Sequence, residues 1–251
     1  NINFQGTVRV GGNVLPGFTV KATQDIEIGG VVEGASLEAG GKVSVKGGVR
    51  QHSVITAHGD ITVKFVDSES TLTTRANLVV VESAMHSNLT AGLAIKIGRK
   101  LIGGTAQAGE FVSAEQVGVA GGTHTYLDVR HGRQAKVVEQ LQRAITTLTG
   151  QLATVDQTYA AIIQNPNAPS GAFEKTKEIK TQLETRLDQL TTEMNSRVAE
   201  NPQNLRRAPF VASRDGFNPG VQIHFDMVNH HVDVFLPFTR ISEVDGALQM
   251  L

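Results

Sequence analysis

The chain contains no cysteine, which excludes disulfide staples and thiolate metal sites while leaving its compartment open. It has no tryptophan and two tyrosines, and aromatics make up 5% of its 251 residues. Neither sign of charge prevails: 23 Lys+Arg stand against 24 Asp+Glu, a formal net charge of −1. Such a balance supplies no field to hold a phosphate backbone, which disfavours a nucleic-acid role. No apolar run approaches the ~20 residues that a bilayer-spanning helix needs, and no signal-peptide pattern is visible. The first residue is Asn1 rather than Met, so the sequence reads as a portion of a longer protein, the rest of which has room for a targeting signal or another domain.

What is abundant is glycine, 26 residues, clustered before position 123. A Gly/Val-rich zone runs to about Val129, a helix-forming zone to about Asn201, and a mixed tail follows. The length suffices for one large or two modest domains. In the first zone Val20, Leu37, Ile55, Leu72 and Leu89 recur at steps of 17 or 18 residues, each followed two positions later by Ala or Thr. Ile26, Val43, Ile61, Leu78 and Ile95 form a second column, and Val32, Val49, Val66 and Ala84 a third. The register continues less cleanly through Ala106, Ala108, Val112 and Val119. Periodic apolar columns of this kind mark a repeat architecture.

Within each copy the apolar positions fall in short alternating stretches such as "DIEI", where Ile26 and Ile28 share one face. Glycine pairs follow, among them Gly29-Gly30, Gly40-Gly41, Gly47-Gly48 and Gly103-Gly104, and glycine permits the positive φ of sharp corners. Three short strands and three corners per copy describe one coil of a parallel β-helix. A single coil cannot bury its inward residues, but stacked coils build a continuous apolar column. About six coils at ~4.8 Å spacing predict a rod roughly 25–30 Å long. Most copies contain one five-residue step, as between Val32 and Leu37, which breaks the equal-sided hexad pattern and favours a right-handed coil.

From about Arg133 the period changes. Val138, Leu141, Ile145, Leu148, Leu152, Val155, Tyr159 and Ile162 form a 3,4 seam. "NPNAPSG" breaks it, with Ser170 as N-cap of a second helix. Ile179, Leu183, Leu187, Leu190 and Met194 form the second seam, until Asn201-Pro202 stops it. A short polar loop between two such helices predicts an antiparallel coiled-coil hairpin. Its seams account for each other's burial, and binding of a second copy or another protein is the sharper alternative. In the tail, Val221, Ile223 and Phe225 alternate, "NPG" at 218–220 is a turn, and Val232, Val234 and Leu236 form another alternating run, predicting a strand pair that covers the β-helix end. The fold class is therefore mainly β: a right-handed parallel β-helix over 1–130, a helical hairpin over 131–201, and C-terminal strands over 202–251.

Chemistry-bearing clusters are sparse. His230-His231 with Asp226 and Asp233 is the cluster with metal-ligand chemistry, yet adjacent strand residues point to opposite faces. Asp25, Lys42, Asp60 and Asn77 share one repeat position. Lys42 and Asn77 interrupt the carboxylates, so corner capping is expected rather than acid–base work. "GRKLIGG" lacks the Gly-Lys-Ser/Thr ending of a phosphate loop and the helix after it. Polysaccharide-cleaving β-helices need clustered Asp, Arg or Lys with aromatic platforms, whereas Phe4, Phe18, Phe65, Phe111 and Tyr126 are scattered here. No catalytic residue, metal ligand or cofactor is assigned. Phe217, Phe235 and Phe238 are partner-binding candidates, since aromatics are scarce and often anchor interfaces, with burial in the tail's own core as the competing expectation.

"NINFQGTVRVGGNVLPGFTVKATQDIEIGGVVEGASLEAGGKVSVKGGV" resembles the repeat opening of FapA-like (flagellar assembly protein A) proteins, without the glycine that leads their Gly-Asn-Ile-Asp-Phe start. "HSNLTAGLAIKIGRKLIGGTAQAGEFVSAEQVG", "GGTHTYLDV", the heptad hairpin and "NPGVQIHF" are similar to later family features in the same order. Departures are Gln24, where glycine is frequent, and Arg99-Lys100, in a stretch otherwise richer in glycine. The resemblance implies a non-enzymatic, cytoplasmic bacterial protein that supports flagellar assembly or placement, recruited to the cell pole and binding a protein of the flagellar or a regulatory system. It also implies kinship with the β-helical domains of a cell-division inhibitor and of bactofilins, again favouring a right-handed coil. Two alternatives stay open: a bactofilin-like self-assembling polymer or homo-oligomer, and a β-helical acyltransferase or polysaccharide-acting enzyme. Neither nucleic acid nor membrane insertion is expected.

Overall fold

The computed structural model describes residues 1–130, 133–164, 169, 171–200, 209–244 and 246–251, and the side chains of 133–139 and 197–200 fall outside this description. Ser170 and the Asn201-Pro202 stop lie outside the described residues. Two compact units result, one formed by Asn1–Gly132 with Ala208–Leu251, the other by Arg133–Arg207.

The first unit is a parallel β-solenoid. On its first face Ile2, Val20, Leu37, Ile55, Leu72, Leu89, Ala106, Leu127 and Ile223 stand in register on successive coils. The second face stacks Val8, Ile26, Val43, Ile61, Leu78, Ile95, Val112 and Val211. The third runs through Val14, Val32, Val49, Val66, Ala84, Leu101, Val117 and Phe217. From Val20 upward, these side chains form one buried core with Ile28, Val45, Val63 and Val80. Alternation explains the burial: in Ile26–Ile28 the two isoleucines are inside while Glu27 is half-buried outside.

In place of the six coils counted from periodicity, the solenoid has about eight turns, or roughly 38 Å at ~4.8 Å per coil. The difference lies at both ends. Ile2, Val8 and Val14 form a first coil below Val20. Past the hairpin, Phe210–Phe217 and Val221–His224 resume parallel pairing as a full coil, where a covering strand pair was expected. Val119, named above where the register continues less cleanly, is 38% exposed; Leu101 and Val117 continue the third column.

Gly103-Gly104 holds the positive φ inferred for a corner, but the other glycine pairs serve a different purpose. Gly29, Gly40 and Gly98 do not adopt positive φ; a Cβ on them would stand 2.4, 2.2 and 1.9 Å from the carbonyl oxygens of Gly11, Thr23 and Val81 in the coil below. The left-handed corner lies elsewhere, before the first face, where Gly17, Gly34 and Gly103 have positive φ on their coils. On the intervening coils Gln51, His52, Ser68, Glu69 and His86 hold positive φ without being glycine. Buried serines brace those corners: Ser53 and Ser70 donate to the carbonyls of Arg50 and Asp67 at 2.6 and 2.7 Å. L-residues at left-handed φ carry about 1 kcal/mol of strain each. Gln51→Gly is therefore expected to add about 0.5–1 kcal/mol of stability and so raise the urea midpoint, and Gly34→Ala to lower it. A Gln51→Gly protein no more stable than the parent would contradict this reading.

The row of Asp25, Lys42, Asp60 and Asn77 caps corners. Asp25 Oδ1 accepts the Lys42 N–H at 2.7 Å and Asp60 Oδ1 the Asn77 N–H at 3.0 Å, each from the coil above. Gln24 and Arg99 leave the stacking intact, because the N–H groups of Gly41 and Gln116 donate to their carbonyls.

The second unit holds two helices, α1 (Arg133–Gln164) and α2 (Ala172–Glu200). Tyr159 stacks near Phe173 and Asp156 meets Lys180, so residue numbers fall along one helix as they rise along the other and the pair is antiparallel. Leu141, Ile145, Leu148, Leu152, Val155, Tyr159 and Ile162 are half-buried, matching the described part of the α1 seam. On α2 the seam runs through Thr176, Lys180, Leu183, Leu187, Leu190 and Met194, while Ile179 is 42% exposed. Ile179 drops out because the lysine stem lies along Tyr159, with its ammonium 5.8 Å from the ring centroid and bound to Asp156.

Candidate functional site

The end of the solenoid is where the sequence changes from repeat to cap. After Phe210–Phe217, a turn at 218–220 with Gly220 at φ 90° leads into Val221–His224. The Phe225 N–H then donates to the Val228 carbonyl, reversing the chain into Asn229–His231, which pairs antiparallel with Val221–His224. The expected hairpin is present, but its second strand is Asn229–His231 rather than the run 232–236. Residues 233–238 cross to the third face, where Leu236 and Phe217 exchange N–H···O bonds of 2.8 and 3.0 Å. Thr239–Val244 finally pairs antiparallel with Phe210–Ser213 on the second face, and Ala247–Met250 folds back on it. Each of the three faces of the last coil thus acquires an antiparallel partner, which closes an edge otherwise open to further strands.

Phe217, Phe235 and Phe238 take different places in this cap. Phe217 is fully buried, in line above Val117; it fills the third column and presents no surface to a partner. Phe235 is 52% and Phe238 72% exposed, and Val234 in the same loop is 67% exposed. The Phe235 ring lies against Gly216, where a Cβ would approach it to 2.6 Å, and about half of the side chain stays exposed. Met227 on the neighbouring turn is exposed as well. Sequence alternation marks Val234 as inward-facing with Val232 and Leu236; the crossing loop is not a strand there, and the side chain turns outward.

Several polar groups around this apolar loop are paired. His231 Nε2 lies 3.4 Å from Asp233, and the Met227 N–H donates to Glu243 at 3.0 Å. Arg130 forms a forked pair with Asp128; that bond and the nearby carboxylate of Asp226 hold the guanidinium more firmly charged. On the outer side of the second face, Phe111 and Phe210 stack at 4.8 Å, flanked by Lys96 below and Arg240 above. This aromatic column bridges the coils on either side of the helical insertion, and the scarcity of aromatics gives no hint of it.

Cross-coil ion pairs line the solenoid surface, including Arg9–Glu27, Lys21–Glu38 and Arg50–Glu33. Glu27 titrates lower than an ordinary carboxyl because Arg9 bonds to it. In the helical unit the Asp156 bond raises the Lys180 ammonium above its usual value. Among the described residues no group of three His, Cys, Asp or Glu side chains is arranged to hold a metal ion. Open grooves run along α2, lined by residues such as Thr185 and Gln189. No described helix is long and apolar enough to cross a membrane.

A family model described as Flagellar Assembly Protein A beta solenoid domain matches residues 1–248. No curated protein and no solved structure matches the chain.

Proposed function

The chain belongs to the flagellar assembly protein A β-solenoid family, and from that premise we propose that it is a non-catalytic scaffold that docks a protein partner during flagellar assembly or placement. The family match over nearly the whole chain carries this reading. It acts in the cytoplasm, with recruitment to the cell pole, and its solenoid is a right-handed coil, consistent with the five-residue steps of the repeat. The docking surface is the cap loop, where Val234, Phe235 and Phe238 expose contiguous sequence of apolar character on an element pinned by the Leu236–Phe217 bridge. Rigid aromatic anchors cost little side-chain entropy on binding, which is why they dominate interface energetics. The closed antiparallel cap supports a discrete scaffold over an end-to-end polymer, since stacking at that end would need free strand edges.

Partner capture with the double variant Phe235→Ser/Phe238→Ser tests this. Loss of about 2 kcal/mol or more per anchor is expected, so a protein retained by the parent chain should be absent from the variant eluate. The same capture with residues 133–200 deleted separates the cap from the helices. Undiminished capture by the double variant, with capture lost on the deletion, would move the docking surface to the hairpin.

A further inference from the structure

Position 180 is where the hairpin departs from the rule that a coiled-coil seam is apolar. Lys180 takes a half-buried seam place on α2, while its neighbour Ile179 is 42% exposed. An apolar side chain is thus turned to water and a charged one turned in. Lys180 Nζ donates to Asp156 Oδ1 at 2.6 Å and lies 5.8 Å from the Tyr159 ring centroid, both on α1. On its own helix Glu184 stands 3.8 Å away, one turn further on. Tyr159 packs in turn against Phe173, their ring centroids 5.1 Å apart.

The spacing of α2 gives both residues a place in the seam. Through Lys180 the steps from Thr176 to Met194 are 4,3,4,3,4; through Ile179 they are 3,4,4,3,4. The first is an unbroken heptad pattern, and the second contains a stutter, which unwinds a coiled coil locally without ending it. Adjacent residues stand ~100° apart around a helix, so the two packings differ by a rotation of the opening turns of α2. From Leu183 onward they coincide. Lys180 and Asp156 keep 31% and 46% of their side-chain surface exposed, so their attraction is modest. The exposed surface of Ile179 favours the other packing. A weak electrostatic contact therefore decides between two close alternatives.

We propose that the Lys180–Asp156 pair is a selector, which sets the packing that the start of α2 adopts against α1. With the pair formed, Ile179 faces solvent at the end of the hairpin where Ile163 and Phe173 are also exposed. With the pair broken, Ile179 enters the seam and Lys180 reaches water, so that end exchanges an apolar side chain for a cation. Fixing register is the best-attested use of a polar group in such a seam. The inference is independent of the flagellar reading, because it rests on α1 and α2 alone.

The chain has no cysteine, so Ile179→Cys places a single thiol at the reporting position, where it acts as a small apolar side chain. Its alkylation by iodoacetamide is followed in the full chain, alone and with changes at the pair. Each rate is divided by that of the same variant unfolded in urea, which cancels local effects on thiol reactivity. Asp156→Lys should slow alkylation by about threefold or more, because reaction follows the population of the exposed state. The swap that adds Lys180→Glu to Asp156→Lys should restore the parental rate. Unchanged alkylation in Asp156→Lys, or no restoration in the swap, overturns the proposal. Should Asp156→Lys lose ellipticity at 222 nm, Asp156→Ala is read by the same criterion. Loss of helix in both would mean that the pair holds the hairpin together rather than selecting its packing, and overturns the proposal equally.

Discussion

Gly98→Ala is expected to destabilise the solenoid by about 3–5 kcal/mol, a large share of the stability of an ordinary domain. The added methyl would stand 1.9 Å from the Val81 carbonyl oxygen and 2.9 Å from its carbon. Both belong to backbone, which cannot swing aside as a flexible side chain does. Relief would require separating two coils locally, and the ladder bond from Gly98 N–H to the Val80 carbonyl would be strained with it. Gly11→Ala is the matched control. It lies at the equivalent corner of the first coil, directly beneath Gly29, and a Cβ there meets nothing within 4 Å. Urea unfolding of the two variants should therefore differ sharply; equal midpoints would refute the close-approach explanation of these glycines.

Phe217→Ala should cost about 3–5 kcal/mol, the range for emptying a buried aromatic site. Phe217 is 0% exposed and is among the largest fully buried side chains. It is the point where the third column, the re-entering coil and the cap bridge through Leu236 meet. The cavity would sit beneath the cap, so hydrogen exchange should increase first in Phe210–Phe217 and in the segment around Leu236, with the coils below Leu89 less affected. Phe238→Ala, by contrast, removes a side chain that is 72% exposed and should shift the unfolding midpoint little. The pair of variants separates an aromatic that holds the fold from one available to a partner. If Phe217→Ala left stability unchanged, the placement of Phe217 in the third column would be wrong.

Much of this architecture is legible in the sequence because a stacked coil writes its register as a period. Val20, Leu37, Ile55, Leu72 and Leu89 fall one above another as their spacing requires, and the described α1 seam from Leu141 to Ile162 is half-buried as its spacing predicts, while on α2 Ile179 gives way to Lys180. The period fails where the chain inserts something else. Val112 and Val211 are partners on one face, yet the helical segment lies between them, so no fixed step links them. The clue that remained was local alternation in "FVASRDGF", which specifies a strand but not its neighbours. The aromatic candidates divided for a similar reason. Scarcity marks Phe217, Phe235 and Phe238 alike, whereas burial depends on whether each position lies on a coil or on a loop crossing the end. Lys180 has a charge that reads as exterior, yet it takes the seam position because its stem is apolar and its ammonium finds Asp156.

The interruption of one coil by the hairpin has a consequence for how the protein is made. The strands Thr125–Val129 and Phe210–Phe217 belong to the same turn, but roughly eighty residues must be synthesised between them. Closing a flexible loop of that length costs about 4 kcal/mol of chain entropy. A nascent chain can form its earlier rungs as they leave the ribosome, while the last turn waits for the insertion. Because α1 and α2 run antiparallel, their local pairing brings the end of the second helix back alongside the start of the first, so the loop left to close before the last turn seals is much shorter than eighty residues.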